Sequence, residues 1–208
     1  MNIKTMEKIL GTTDLNDLFK MTLDDPELRL KVFQLVVDNS IWVDPAIYKR
    51  IQVVFPRTVR RSGKQKRGDV DSGNTIWNNE PAKWAFWNAM GLNYSGLKNS
   101  YICHIYEGSV SKPEHFTNLA NMVAFPRAIQ SLSEWHPINE ILKYRSYKLY
   151  NYIGPDNQIP VKPDQYDRFV FRTIDLSDDD KGRIIERLLK AKDTKPWYGN
   201  GNTLNKNE

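Results

Sequence analysis

The stretch SYICHIYEG, residues 100–108, places the only cysteine of the chain, Cys103, directly before one of its three histidines, His104. Imidazole has an ordinary pKa of about 6.5, so it can take up a proton near neutral pH and act as a general base. Bulky residues alternate from Tyr101 to Tyr106, as they do in a strand, and turn residues follow from Gly108. We therefore expect His104 near the end of a strand, where a substrate can reach it.

A second apolar run completes a local pattern. Residues 119–125 read LANMVAF and end at Pro126, and residues 127–135 then show helical spacing. The predicted order is strand, loop, strand, helix. Asn121 lies in the second run, and Asn118 lies three residues before it.

This order, over residues 100–135, resembles the HNH nucleases of the ββα-metal group. In that family a His followed by Ile closes the first strand, and an Asn-Leu-x-x-Leu sequence opens the second. Here residues 103–105, CHI, match the first element, and residues 121–125, NMVAF, match the second. The family's Asn-Leu-x-x-Leu sequence can also be aligned three residues earlier, so that it begins at Asn118 and not at Asn121.

The resemblance implies specific roles. His104 would deprotonate a water, and Asn121, or Asn118 in the competing register, would fix the imidazole tautomer or bind a metal ion. A divalent ion, Mg or Mn, would neutralise charge on the phosphate, with Asn121 and Gln130 as its protein ligands. Cys103 stands where the family commonly has an Asp or His ligand. A thiolate suits magnesium poorly, so Cys103 is either a weak ligand or a small buried residue.

The strongest charge feature is a basic segment, residues 56–68, which reads PRTVRRSGKQKRG and contains no acid. Its cations are Arg57, Arg60, Arg61, Lys64, Lys66 and Arg67. The whole chain has 30 Lys and Arg against 25 Asp and Glu, a formal charge of +5. We expect an extended loop or ribbon that binds the phosphate backbone, and the alternative is a solvated loop without a partner. Arg127, at the start of the predicted helix, is either a phosphate ligand or a surface arginine.

The fold class predicted from the pattern is α+β, mostly helical, around a ββα-metal (HNH-like) hairpin and helix. The segments are an N-terminal helical region (1–55), the basic loop (56–73), the nuclease-like core (74–153), a strand and helix (154–191) and a polar tail (192–208), expected to form one compact domain. Helices are predicted near residues 13–19, after Asp25 and Asp44, and at 79–91, 136–150 and 178–191. Residues 51–55 read as helix or strand, and residues 168–174 as strand.

A single cysteine excludes an intramolecular disulfide, and no run approaches the roughly 20 apolar residues of a membrane span. Without a secretory signal pattern, we expect a soluble cytoplasmic protein. The function predicted is a metal-dependent endonuclease that cuts double-stranded DNA, of which a restriction-type enzyme is one version, and a homodimer would allow both strands to be cut. The alternatives are a nucleic-acid-binding protein without catalysis, on a degenerate HNH scaffold, and an interaction protein whose basic loop meets an acidic partner.

Overall fold

The computed structural model describes residues 25–93, 97–171 and 174–192. Its α-helices are α1 (Pro26–Asp38), α2 (Pro45–Arg50), α3 (Glu80–Ala89), α4 (Pro113–Phe116), α5 (His136–Tyr150) and α6 (Asp178–Lys192). Its strands are β1 (Thr58–Arg60), β2 (Val70–Asp71), β3 (Asn74–Trp77), β4 (Ser100–His104) and β5 (Met122–Pro126). The predicted α+β class is confirmed at this coarse level. The helix predicted near residues 13–19 and most of the polar tail lie outside the described residues.

The helices begin where cap chemistry predicts. The Asp25 carboxylate accepts from the backbone N–H of Glu27 at 2.9 Å, and the Asp44 carboxylate accepts from that of Ala46 at 2.7 Å. Both caps are followed by a proline in the first turn, where a missing N–H costs nothing. Residues 51–55 were predicted as either helix or strand. They form neither, because helix α2 ends at Arg50 and the only strand pairing that the structure describes in this stretch is one isolated bridge from Val53.

The basic loop predicted at residues 56–73 is not simply a loop, because β1 and β2 lie within it and join a small sheet. Strand β1 pairs in parallel with β3, and β2 pairs antiparallel on the other side of β3. Thr58 and Val59 are buried, whereas Arg60 points to the surface. The first turn of α3 follows β3 directly, so this sheet brings β1 next to the start of that helix.

The predicted hairpin is present. Strands β4 and β5 pair antiparallel, and their register places His104 opposite Met122. Strand β5 begins three residues later than the apolar run, because residues 119–121 form a 3₁₀ turn. After Pro126 the chain forms a 3₁₀ segment, Arg127–Glu134, and the α-helix starts only at His136. The helix that follows the hairpin therefore begins nine residues later than the sequence predicted, counting from 127 to 136.

Strand β5 is the centre of the main hydrophobic core. Its residues from Met122 to Phe125 have no exposed surface, because Ile41 bridges its far edge and α5 packs over it. The Ser146 hydroxyl on α5 donates to the carbonyl of Ala120 at 2.6 Å, which fixes the helix against the strand entrance. The hairpin is thus held rigidly by its surroundings.

The strand predicted at 168–174 is not formed by residues 168–171. Tyr166–Arg168 is a 3₁₀ turn, and Phe169 then enters a small second cluster with Val37, Ile141 and Tyr166. Residues 172 and 173 lie outside the described part. In the regions that the structure describes, no helix is long and apolar enough to cross a membrane.

Candidate active site

His104 closes strand β4, and its imidazole is fixed by Phe116 in two ways. The two rings stack with centroids 5.7 Å apart and planes 19° apart. The imidazole Nε2 lies 2.9 Å from the carbonyl oxygen of Phe116. Because a carbonyl only accepts, Nε2 carries the hydrogen, and the lone pair is left on Nδ1. The ring is therefore held as the tautomer whose Nδ1 can accept a proton.

The electrostatic surroundings keep this imidazole neutral. Burial lowers the pKa of His104 to about 4, a shift that the hydrogen bond to Phe116 opposes and the nearby charge of Arg60 reinforces. The residue as a whole is half-buried. At neutral pH His104 is thus unprotonated, as a general base must be.

Asn121 has no exposed surface, and its amide is engaged by the loop between the two strands. Its Oδ1 accepts from the backbone N–H of Tyr106 at 3.2 Å, and its Nδ2 donates to Ser109 Oγ at 2.8 Å and to the His115 carbonyl at 3.0 Å. Both amide hydrogens are used. Among the described residues Asn121 makes no hydrogen bond to His104, so it acts on the imidazole by holding the loop that carries Phe116.

Asn118 is a cap. Its Oδ1 accepts from the backbone N–H of Ala120 at 3.0 Å, and its Nδ2 donates to the carbonyl of Glu114 at 3.3 Å. It is 6% exposed. The residue shapes the 3₁₀ turn that leads into β5, and its carboxamide is directed at backbone groups.

The two residues expected to bind a divalent ion are not brought together: Gln130 lies near Cys103, whereas the Asn121 amide is engaged in the loop between β4 and β5. Ser133 Oγ lies 3.3 Å from Cys103 Sγ and 2.6 Å from the backbone carbonyl of Gln130. The Gln130 side-chain oxygen Oε1 is buried without a hydrogen-bond partner among the described residues. Burial raises the pKa of Cys103 to about 11. The thiol therefore stays protonated at neutral pH.

This group does not fit a magnesium or manganese site. Such ions take oxygen ligands, usually including at least one carboxylate, and here one carboxamide oxygen is available beside a protonated thiol. Among residues 25–93, 97–171 and 174–192, no three His, Cys, Asp or Glu side chains are grouped so that they could hold a metal ion. Among the described residues, the groups that this site offers for chemistry are His104 and the cations near it.

The predicted phosphate ligands differ in what they contact. All six cations of the basic segment are exposed, as is Arg127. The guanidinium of Arg67 lies 4.3 Å from the ring centroid of Trp77 and 3.2 Å from a carboxylate oxygen of Glu80. Arg67 thus braces the sheet. Arg60 is the cation of the segment whose charge reaches His104.

A polar cleft next to these cations contains residues that the sequence did not single out. Its walls come from β1, the start of α3 and β4: Arg60, Arg61, Asn78, Asn79, Glu80, Lys83 and Tyr101. Lys83 and Tyr101 carried no local signal. Lys83 comes near the basic strand because β1 pairs with β3, which α3 follows, and Tyr101 belongs to the separate sheet of β4 and β5. The Phe116 carbonyl was also missed, since a backbone group has no residue-type signature.

Comparison of the chain with family models, with curated proteins and with solved structures returns no match. Function is therefore inferred from the geometry of His104 and its surroundings.

Proposed function

We propose that this protein hydrolyses phosphodiester bonds in nucleic acid, with double-stranded DNA as the first substrate and His104 as the general base. The observation that supports this most is the hydrogen bond from His104 Nε2 to the Phe116 carbonyl. It fixes the ring orientation and leaves an unprotonated nitrogen, Nδ1, on a ring that is neutral at physiological pH.

In the proposed reaction a water molecule gives one proton to Nδ1 of His104, and its oxygen attacks phosphorus. A new P–O bond forms while the P–O bond to the leaving sugar oxygen breaks, and that oxygen takes a proton from solvent. Arg60, whose charge already acts on His104, neutralises part of the negative charge that develops on the phosphoryl oxygens. Asn121 and Asn118 hold the loop and the turn that position these groups.

The resemblance to HNH nucleases implies a requirement for Mg or Mn, and this requirement is tested by the nicking experiment below. Cleavage of both strands by one site per chain favours two copies acting on one duplex. The second candidate is a nucleic-acid-binding protein without catalysis. It is favoured by the protonated thiol of Cys103 at the position where the family commonly has a metal ligand.

Nicking of supercoiled plasmid tests the proposal. Wild type, His104→Ala and the control His136→Ala, which removes an exposed histidine, are incubated with magnesium, manganese or chelator. We expect wild type and the control to nick the plasmid, and His104→Ala to be slower by about 10² to 10⁴-fold, the usual contribution of a general base. Loss of nicking in chelator would show that a divalent ion is required. Nicking that persists in His104→Ala would reject the role of His104. No nicking by wild type under any ion would favour the binding protein.

A further inference from the structure

The polar cleft between β1, α3 and β4 has a volume of about 410 Å³ and lies on the same face as the basic strand β1. Three cations line it: Arg60, Arg61 and Lys83. The only acid in its wall, Glu80, is already paired with Arg67 at 3.2 Å. In the part of the chain that the structure describes, no carboxylate forms an ion pair with any of the three cations.

The positive charge of these three side chains is not balanced by any carboxylate in the cleft wall, because Glu80 is paired with Arg67. Three positive side chains around one cleft repel one another, and an anion between them offsets that repulsion. The cleft also adjoins the start of α3, a ten-residue helix, whose dipole adds a partial positive charge at that end. A phosphate diester supplies two non-bridging oxygens that arginine and lysine can bind together.

The cleft is separate from His104, although strand β4 contributes both His104 and Tyr101, which lies in the cleft wall. The two residues are three positions apart, so their backbone positions are separated by about 10 Å and their side chains point to opposite faces of the strand. Arg60 lines the cleft, and its positive charge also lowers the pKa of His104. The cleft and His104 are therefore close enough to share the charge of Arg60.

We infer that the cleft formed by Arg60, Arg61 and Lys83 binds a backbone phosphate of the nucleic acid substrate, separate from the phosphate at His104. This inference rests on the proposed function. It adds Lys83 and Tyr101 to the substrate-binding surface, and it assigns the cleft to a nucleic acid strand. The Tyr101 ring is available to stack on a base or sugar beside the bound phosphate.

The test is duplex binding by the full-length protein in chelator, measured by fluorescence anisotropy of a labelled oligonucleotide over a range of salt concentrations. The variant Arg61→Gln/Lys83→Met removes two cleft charges and keeps most of the side-chain length. The control Lys49→Met/Arg50→Gln removes two exposed charges at the end of α2. Circular dichroism checks that each variant is folded, and the single variants Arg61→Gln and Lys83→Met replace the double variant if it is not.

The slope of log affinity against log salt falls by about 0.9 for each phosphate that the protein no longer neutralises. We expect the cleft variant to reduce the slope by about 1 to 2 units, and the control to change it little. Equal reductions in both variants, or none in the cleft variant, would overturn the inference. So would displacement of the duplex by millimolar inorganic phosphate at constant ionic strength, because the ligand would then be free phosphate. If the cleft variant has the reduced slope but wild type never nicks plasmid, the hydrolysis is refuted and the phosphate cleft is supported.

Discussion

The imidazole of His104 donates to the carbonyl of Phe116, a residue twelve positions further along the chain, over 2.9 Å. Phe116 has no exposed surface, so the acceptor cannot easily move. A backbone carbonyl therefore does here what a carboxylate does for many catalytic histidines: it sets the tautomer and the ring orientation. The site depends on the loop between β4 and β5 keeping its shape.

The low pKa of His104 predicts a pH-dependent stability. An unfolded imidazole binds its proton below pH about 6.5, whereas the native one does so only below about 4. Between these pH values the unfolded state binds more protons than the native state, so the free energy of unfolding rises with pH. The stability that His104 contributes reaches its full value above pH about 6.5. The contribution is at most about 3 kcal/mol, and it is lost as pH falls towards 4.

Urea unfolding at pH 4.5 and 7.5 measures this effect. The difference between the two values should be larger in wild type than in His104→Gln, whose side chain does not titrate. An equal pH dependence in both proteins would show that the imidazole is not held neutral by the fold.

Replacement of Asn121 tests the loop that positions His104. Asn121→Ala removes three hydrogen bonds, two buried and one partly buried, and leaves the Tyr106 N–H and the His115 carbonyl without that partner. We expect a loss of about 2 to 4 kcal/mol in the free energy of unfolding, measured with urea. Ser111→Ala, which removes one exposed hydrogen bond in the same loop, should cost less than about 0.5 kcal/mol. Similar losses in both variants would contradict the role given to Asn121.

Cys103 should be unreactive in the native protein. Its raised pKa leaves very little thiolate at pH 8, and the thiolate is the reactive form. Labelling with a chromogenic disulfide reagent should be slower by about 100-fold or more than in the urea-unfolded chain. A native rate within about tenfold of the unfolded one would show an accessible thiolate, and Cys103 would then return as a candidate ligand.

Arg67 should differ from the other cations of its segment. Arg67→Ala removes the stacking on Trp77 and the ion pair with Glu80, which together are worth about 1 kcal/mol. The matched control Arg57→Ala alters an exposed side chain and should change the free energy of unfolding by less than about 0.5 kcal/mol. If the two variants are equally stable in urea, Arg67 is not the brace inferred from its contacts.

The sequence was most informative where the physics is local. Asp25 and Asp44 start helices because a carboxylate cap acts within three residues, and Gly91 follows α3 at φ +74°, as a helix stop does. The hairpin was also predictable, because the apolar runs on both sides of the turn segment match the two strands. Even there, β5 begins at Met122 and not at Leu119, because Asn118 caps a 3₁₀ turn at residues 119–121.

The long-range features were not predictable. The parallel pairing of Thr58–Arg60 with β3 has no signature in a three-residue strand, so the basic segment appeared to be a loop. Residues 168–174 alternate like a strand, and Val170 is indeed 73% exposed, but Phe169 packs against helices. Asn121 was identified as a site residue from the resemblance, whereas its hydrogen bonds to the loop could be seen only in three dimensions.

The central claim is that His104 takes the proton from the attacking water. Its most direct test is the plasmid-nicking rate of His104→Ala as imidazole is added, compared with wild type under the same conditions. We predict a loss of about 10² to 10⁴-fold and a recovery that increases with the concentration of unprotonated imidazole. A His104→Ala rate equal to that of wild type, unaffected by imidazole, would contradict the account.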